Sequence, residues 1–143
     1  MVVAAGLAII GYHQSFTNIY KINLDNKSLV AFRTGAGVYV GTFILGNNWD
    51  YRLIFLTFTV PVLARLVRAG VPWLRWVSAI LVGGILLSCW HISIYHICSG
   101  FPLGSPACVL LDECANWIVF LGLSLLFGSS LPRWWPTDPL AAI

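Results

Sequence analysis

The chain has 143 residues, of which 59% are hydrophobic and only 9% are charged, with a formal net charge of +3 at pH 7. Its mean hydropathy is +0.85. A soluble domain carries roughly 25% charged residues, so this chain has too few charges to cover a globule in water. The composition excludes an ordinary soluble enzyme, a disordered chain and a nucleic-acid-binding protein of the basic-patch type. It indicates an integral membrane protein that contacts the lipid bilayer.

Five apolar segments predict an all-α polytopic bundle of four to five membrane-spanning helices, forming a single transmembrane domain over residues 1–143. The predicted spans A to E are Met1–Phe16, Leu29–Gly46, Tyr51–Val67, Trp73–Cys98 and Glu113–Ser130. A segment of about 18 residues crosses roughly 27 Å, which is enough for a thin bilayer core.

Span A is the least regular of the five segments, because polar residues follow directly after Tyr12. Two interpretations of Met1–Phe16 stay open. It is either a short tilted or interfacial helix, or the end of a longer helix. On the second interpretation the chain is the C-terminal part of a larger protein, and on either one it is open whether span A crosses the membrane.

Span B contains several glycines, of which Gly37 and Gly41 form a G-x-x-x-G pattern and Gly35 lies two residues earlier. In a membrane, small residues let two helix backbones approach closely. We expect Gly35, Gly37 and Gly41 to pack span B against span C, its neighbour in the hairpin.

The turn between spans B and C is strongly polar. It contains Asn47, Asn48, Asp50 and Arg52. Asp50 and Arg52 can pair, or Arg52 can hold a phosphate while the free amides at the start of span C attract the anion. Alternatively, Asn48 or Asp50 caps the helix N-terminus, which is a structural role. On the first interpretation all four residues are candidate ligand-binding residues.

Span C carries Pro61, with Thr57 and Thr59 just before it. A proline inside a helix leaves a carbonyl without its donor and kinks the helix, and a threonine hydroxyl can satisfy part of the gap. We therefore expect a kink in span C.

The loop between spans D and E is predicted at Ser99–Asp112, and Cys98, Cys108 and Cys114 lie in or beside it. One disulfide among these three cysteines is expected if the loop faces an oxidising compartment, and the pairing stays open. Asp112 and the following Glu113 are expected to cap the N-terminus of span E, with a general-base role as the alternative.

Span D contains His91 and His96, which are five residues apart and therefore roughly 140° apart around a helix. Two ligands so placed do not easily share one metal ion. The sequence predicts neither a metal site nor a cofactor.

The basic residues are distributed unevenly between the two sides of the predicted bundle. Arg52 lies on one side, and the other side holds Lys21, Lys27, Arg33, Arg65, Arg68, Arg75 and Arg133. Because loops rich in Lys and Arg stay inside, the Arg65–Arg75 loop is predicted to be cytoplasmic. The Asn47–Asp50 turn and the Ser99–Asp112 loop are then extracytoplasmic.

The run from Phe32 to Leu66, FRTGAGVYVGTFILGNNWDYRLIFLTFTVPVLARL, resembles a segment in the C-terminal part of large, mostly uncharacterised polytopic bacterial membrane proteins. Some of these are similar to C-type integral-membrane glycosyltransferases, which use polyprenyl-phosphate-linked sugars. Gly35-Ala36, Tyr39, residues 46–53 and Pro61 carry the match. This chain departs from the pattern at Val62, where glutamine is expected.

The resemblance implies a location in the bacterial plasma membrane and chemistry on the extracytoplasmic face. It implies that Asp50 and Arg52, helped by Asn47 and Asn48, contact the phosphate or the sugar of a polyprenyl-phosphate lipid. An acidic residue in an early outer loop acts as the base in such enzymes, so a C-terminal segment alone would lack it. Whether this chain is an enzyme therefore stays open.

A different class of function fits the same residues. The short length and the glycines of span B are also typical of a small non-catalytic membrane subunit or assembly protein, whose partners are other membrane helices. No feature of the sequence indicates a nucleic-acid partner.

Overall fold

A computed structural model describes Gly6 and residues 24–46, 49–68, 71–100 and 104–131, without the side chains of residues 49–52 and 105. These ranges form five helices: α1 (Asn26–Ile44), α2 (Trp49–Leu56), α3 (Val60–Arg68), α4 (Pro72–Cys98) and α5 (Gly104–Ser130). The described residues contain no strand, which confirms the all-α class. Span A, apart from Gly6, lies outside the described residues.

Helix α1 has a cap at each end. The Asp25 carboxylate accepts a hydrogen bond from the Ser28 amide at 3.2 Å, so the helix begins three residues before the start predicted for span B. At the other end Leu45 donates to the Gly41 carbonyl at 3.1 Å. Gly46 follows with a φ of 67°, a left-handed conformation that glycine adopts without a steric cost and that ends many helices.

Span C is interrupted rather than only kinked. Residues 57–59 form a turn between α2 and α3, in which each amide donates to the carbonyl three residues earlier. The Thr57 hydroxyl donates to the Ile54 carbonyl at 2.6 Å, and the Thr59 hydroxyl to the Leu56 carbonyl at 2.7 Å. Pro61 lacks the amide that would continue the α-helical ladder through this point. Both hydroxyls therefore reinforce carbonyls of the turn that already accept an amide, and neither is bonded to the Thr57 carbonyl, which residue 61 would bond in a continuous helix.

Helices α4 and α5 are the two helices long and apolar enough to cross a membrane among the described residues, over Pro72–Cys98 and Pro106–Ser130. The start predicted for span E is wrong, because α5 begins at Gly104 and not at Glu113. Most of the predicted Ser99–Asp112 loop is thus helical, and Pro106 lies in the first helical turn, where proline is tolerated. Asp112 and Glu113 fall well inside the helix and do not cap it.

The four to five spans of the prediction are not all evident from length and composition. Helix α1 is long enough to cross a membrane but not apolar enough, because its first turns carry Asn26, Lys27 and Arg33. Helices α2 and α3, with 8 and 9 residues, are each too short to cross a membrane, because the turn at 57–59 divides them.

The helices pack in an antiparallel arrangement. Helix α4 packs against α3 and most extensively against α5, while α1 packs against α2, α3 and α5. The largest buried side chains form one apolar core: Phe32, Tyr39, Leu56, Leu63, Leu66, Leu74, Leu81, Leu123 and Leu126.

Two long-range contacts bring the starts of α1 and α4 and the ends of α3 and α5 to one end of the bundle. Arg65 near the end of α3 forms an ion pair with Asp25, at 2.8 Å. Arg33 of α1 donates a hydrogen bond to the Ser130 carbonyl at the end of α5. We call this the basic end, because it holds Lys27, Arg33, Arg65, Arg68 and Arg75. The opposite end, with the α1–α2 and α4–α5 connections, is the turn end.

Large apolar side chains cover the outer surface as well as the core, which distinguishes this bundle from a soluble one. On the outer surface Trp76 is 70% exposed and Ile97 is 75% exposed. In the interior Ser78, Ser88 and Asn116 are buried. Such a surface needs an apolar surrounding, which a lipid bilayer or an apolar protein face supplies.

Candidate functional site

The α1–α2 connection contains the four candidate ligand-binding residues of the sequence analysis. Asn47 and Asn48 lie outside the described residues. Asp50 and Arg52 occupy the first turn of α2, which begins at Trp49. The first amides of any helix have no acceptor within the helix, and together with the helix dipole they favour an anion. The backbone of this turn therefore has the polarity that an anionic group requires.

An aromatic cluster of Phe43, Trp117 and Phe120 fixes the last turn of α1 against α5, close to this connection. The Phe43 and Phe120 rings stack with centroids 4.2 Å apart, and Trp117 meets the edge of Phe43 at 5.2 Å. Trp117 is 50% exposed, so the cluster reaches the surface. Aromatic pairs of this geometry stabilise beyond the area that they bury. The aromatic contacts thus hold the helix end from which the turn starts against α5.

The three glycines predicted to pack span B against span C have three different surroundings. A Cβ at Gly35 would lie 2.6 Å from the Phe55 carbonyl oxygen and 2.8 Å from Phe58 Cβ, so α1 approaches the α2–α3 break there with no spare room. A Cβ at Gly37 would meet Phe127 of α5 at 3.4 Å, which is an ordinary contact with a different helix. At Gly41 a Cβ would meet no described atom within 4 Å.

The close helix contact is therefore made by Gly35 and not by the G-x-x-x-G pair. Gly84 and Gly122, at the α4–α5 interface, are further close contacts that the sequence analysis missed. A Cβ at Gly84 would lie 2.8 Å from Val119, and one at Gly122 would lie 2.5 Å from Leu81. A glycine within a long apolar helix is the sequence feature that could have indicated these contacts.

At the basic end, Asp25 links two helices. Its carboxylate accepts from Ser28 in α1 and from Arg65 in α3, and both ionic partners are about half exposed. The Ser28 hydrogen bonds, and to a smaller extent the Arg65 guanidinium, lower the pKa of Asp25 below its usual range. Arg33 adds a second link, since a cation at the last carbonyls of α5 also interacts favourably with the helix dipole.

A groove of about 490 Å³ runs along the outer face of α1 from the basic end to the α2–α3 break. Its walls are Asn26, Lys27, Val30, Ala31, Thr34 and Phe58. The groove is mostly apolar, with one lysine at its end.

A polar network crosses the α4–α5 interface near the turn end. Asn116 donates from Nδ2 to the Asp112 carbonyl at 3.0 Å and to the Asp112 carboxylate at 3.1 Å. The Ser88 hydroxyl of α4 lies 3.4 Å from Asn116 Oδ1, and His91 Nδ1 lies 3.2 Å from the Ser88 carbonyl. Buried amides and hydroxyls in apolar helices specify which faces meet. Asp112 thus holds Asn116 in place, and this role replaces the predicted cap.

Of the three cysteines considered for a disulfide, two lie together and the third lies apart. Cys98 ends α4, and Cys108, which is buried in α5, has its thiol beside that of Cys98. Cys114 is exposed further along α5, and the structure shows these cysteines in the reduced form. Within the described residues no three His, Cys, Asp or Glu side chains are grouped so that they could hold a metal ion.

Comparison of the chain with protein-family models, with curated proteins and with solved structures found no match.

Proposed function

We propose that this chain is a membrane-embedded helical bundle related to the C-terminal part of C-type glycosyltransferases, and that its α1–α2 turn contacts the phosphate or the sugar of a polyprenyl-phosphate lipid. The observation that carries the proposal is the position of Asp50 and Arg52. Both lie in the first turn of α2, at the turn end of the bundle, whereas the other Lys and Arg residues of the described ranges are at the basic end. The resemblance of residues 46–53 supports the same assignment.

In this proposal each residue of the turn has a distinct role. Arg52 binds phosphate oxygens, because a guanidinium offers two parallel N–H donors that match them. The amides at the start of α2 bind the same anion. Asp50 accepts hydrogen bonds from sugar hydroxyls, or orients Arg52, and Asn47 and Asn48 offer amide donors and acceptors to the sugar.

The proposed membrane arrangement follows from the two ends. Helices α4 and α5 span the membrane, α1 is a third span, and α2 and α3 together form a fourth. Residues 49–68 have the length of one span, about 30 Å at 1.5 Å per residue. Because basic ends stay inside, the basic end faces the cytoplasm and the turn end faces the outside of a bacterial plasma membrane.

The test measures the lipid that is purified with the protein. Wild type, Arg52→Ala and Arg52→Lys are extracted from native membranes, and bound polyprenyl phosphate is quantified by mass spectrometry. Arg75→Ala is the matched control, because Arg75 is an exposed arginine of the basic end. We expect Arg52→Ala to lose most of the bound lipid, Arg52→Lys to retain part of it, and Arg75→Ala to retain all of it.

Two outcomes would contradict the proposal. Unchanged lipid in Arg52→Ala would remove the turn from the binding site. An equal loss in Arg52→Ala and Arg75→Ala would assign the effect to net charge, since both variants lose one positive charge.

A second candidate is a non-catalytic membrane subunit, and the outer surface of α4 favours it. Trp76, Trp90 and Ile97 are all more than 60% exposed, so the described residues leave most of each side chain uncovered. Crosslinking in native membranes separates this candidate from the first. A subunit gives a discrete crosslinked species that is lost when Trp76 or Trp90 is replaced by alanine, and a chain that is strictly monomeric in its membrane contradicts a subunit role.

A further inference from the structure

The turn end of the α4–α5 hairpin brings two of the four cysteines together. Cys98 is the last residue of α4, and Cys108 lies in the second turn of α5. The two thiols are within interaction range of each other. Gly104, one helical turn before Cys108, packs directly on the backbone of Cys98, which shows independently that α5 begins against the end of α4.

The other cysteines are in different places. Cys89 is nine residues before Cys98 on the same helix, so it lies about 13.5 Å away along the axis. Cys114 is six residues after Cys108, about 9 Å along the axis and about 120° around the helix. A disulfide requires Cα atoms about 4.4–6.8 Å apart. Cys89 and Cys114 are both exposed. At the same height along the two helices, Ser88 and Asn116 are the residues that meet between α4 and α5.

We propose that Cys98 and Cys108 form a disulfide that closes the α4–α5 hairpin at the turn end. The oxidant is the disulfide of a thiol–disulfide exchange protein. The thiolate of Cys98, the more exposed of the two, attacks that disulfide and forms a mixed disulfide, which releases one thiolate of the donor. The thiolate of Cys108 then attacks Cys98 Sγ and releases the second donor thiolate.

The exchange balances. Two thiols of this chain are oxidised to one disulfide, the donor disulfide is reduced to two thiols, and the two protons lost here are taken up by the donor thiolates. The ring closes over residues 99–107, so the bond keeps the ends of the two candidate spans together. This proposal does not depend on the lipid proposal, because neither cysteine belongs to the α1–α2 turn.

The experiment counts the cysteines of the whole chain that are held in disulfide bonds. Native membranes are treated with N-ethylmaleimide in denaturing detergent, reduced, and labelled with a second maleimide of different mass. We expect the second label on two cysteines in wild type and on none in Cys98→Ser or Cys108→Ser. The matched variants Cys89→Ser and Cys114→Ser keep both labels. Peptide mapping of unreduced wild type then gives a linked Cys98–Cys108 pair, about 2 Da lighter than its reduced form.

Three outcomes would overturn the proposal. One is reaction of all four cysteines of wild type with the first maleimide, which shows that no bond forms in the membrane. Another is retention of the second label in Cys108→Ser together with its loss in Cys114→Ser, which assigns the bond to Cys114. The last is a wild-type peptide map that links any other pair. The map needs no variant, so poor folding of a serine variant cannot mask the result.

Discussion

The contact at Gly35 gives the sharpest test of the packing. A Cβ added there would lie 2.6 Å from the Phe55 carbonyl oxygen. An ordinary C···O contact is about 3.3 Å or longer, so the two backbones would have to separate by roughly 0.7 Å. The obstructing atom is backbone and cannot rotate away. Overpacking of this kind costs about 1–3 kcal/mol.

The matched control removes the effect of helix propensity. Replacing glycine by alanine inside a helix stabilises it by up to about 1 kcal/mol, and Gly41→Ala has this gain without a clash, because no described atom lies within 4 Å. We therefore expect Gly35→Ala to be about 1–3 kcal/mol less stable than Gly41→Ala. The assay is unfolding in mixed micelles with increasing sodium dodecyl sulfate, followed by tryptophan fluorescence. Equal stability of the two variants would refute the close approach of α1 to the α2–α3 break.

Two further predictions concern the ion pair and the polar network. Because the pKa of Asp25 is lower in the folded chain than in the unfolded one, its ionised form contributes stability above about pH 4. That contribution is lost as the pH falls through the folded pKa. Unfolding midpoints at pH 3 and pH 7 should therefore differ less in Asp25→Asn than in wild type, and an unchanged difference would contradict this. Asn116→Ala removes two hydrogen bonds to Asp112 and should cost about 0.5–2 kcal/mol in the micelle assay, whereas Ser124→Ala, which removes one bond within α5, should be nearly neutral.

A disturbance of span C at Pro61 could be predicted from the sequence, though only as a kink, because its causes are local. Pro61 lacks the amide that the helix needs, and Thr57 and Thr59 lie where their hydroxyls reach carbonyls of the preceding turn. The hydrophobic contacts of the break could not be predicted. The rotation of α1 about its axis decides which glycine meets the α2–α3 break. The spacing of Gly35, Gly37 and Gly41 leaves that rotation undetermined.

The start of α5 differs from the prediction because the acidic residues inside the helix are typical of a helix start. Asp112 and Glu113 resemble the acidic first turn of a helix, but the residues before them, from Pro106 to Leu111, are apolar enough to be helical as well. In the structure Asp112 has a partner one turn later in Asn116, and this pair faces Ser88. The Asn116 amide satisfies one oxygen of the Asp112 carboxylate, while Oδ1 is buried without a partner among the described residues, so the cost of an acid in this helix is offset only in part.

Arg52 is the feature that links the fold to the proposed function. Among the described helices it is the one Lys or Arg residue whose backbone lies outside the basic end. In the proposed orientation Arg52 lies on the translocated side, where a positive charge works against the orientation that the other cations favour. A turn that needed only solubility could use asparagine or serine, as Asn47 and Asn48 already do. In the proposed function, an anion that binds at the start of α2 would offset the cost of this cation through both the guanidinium and the helix amides.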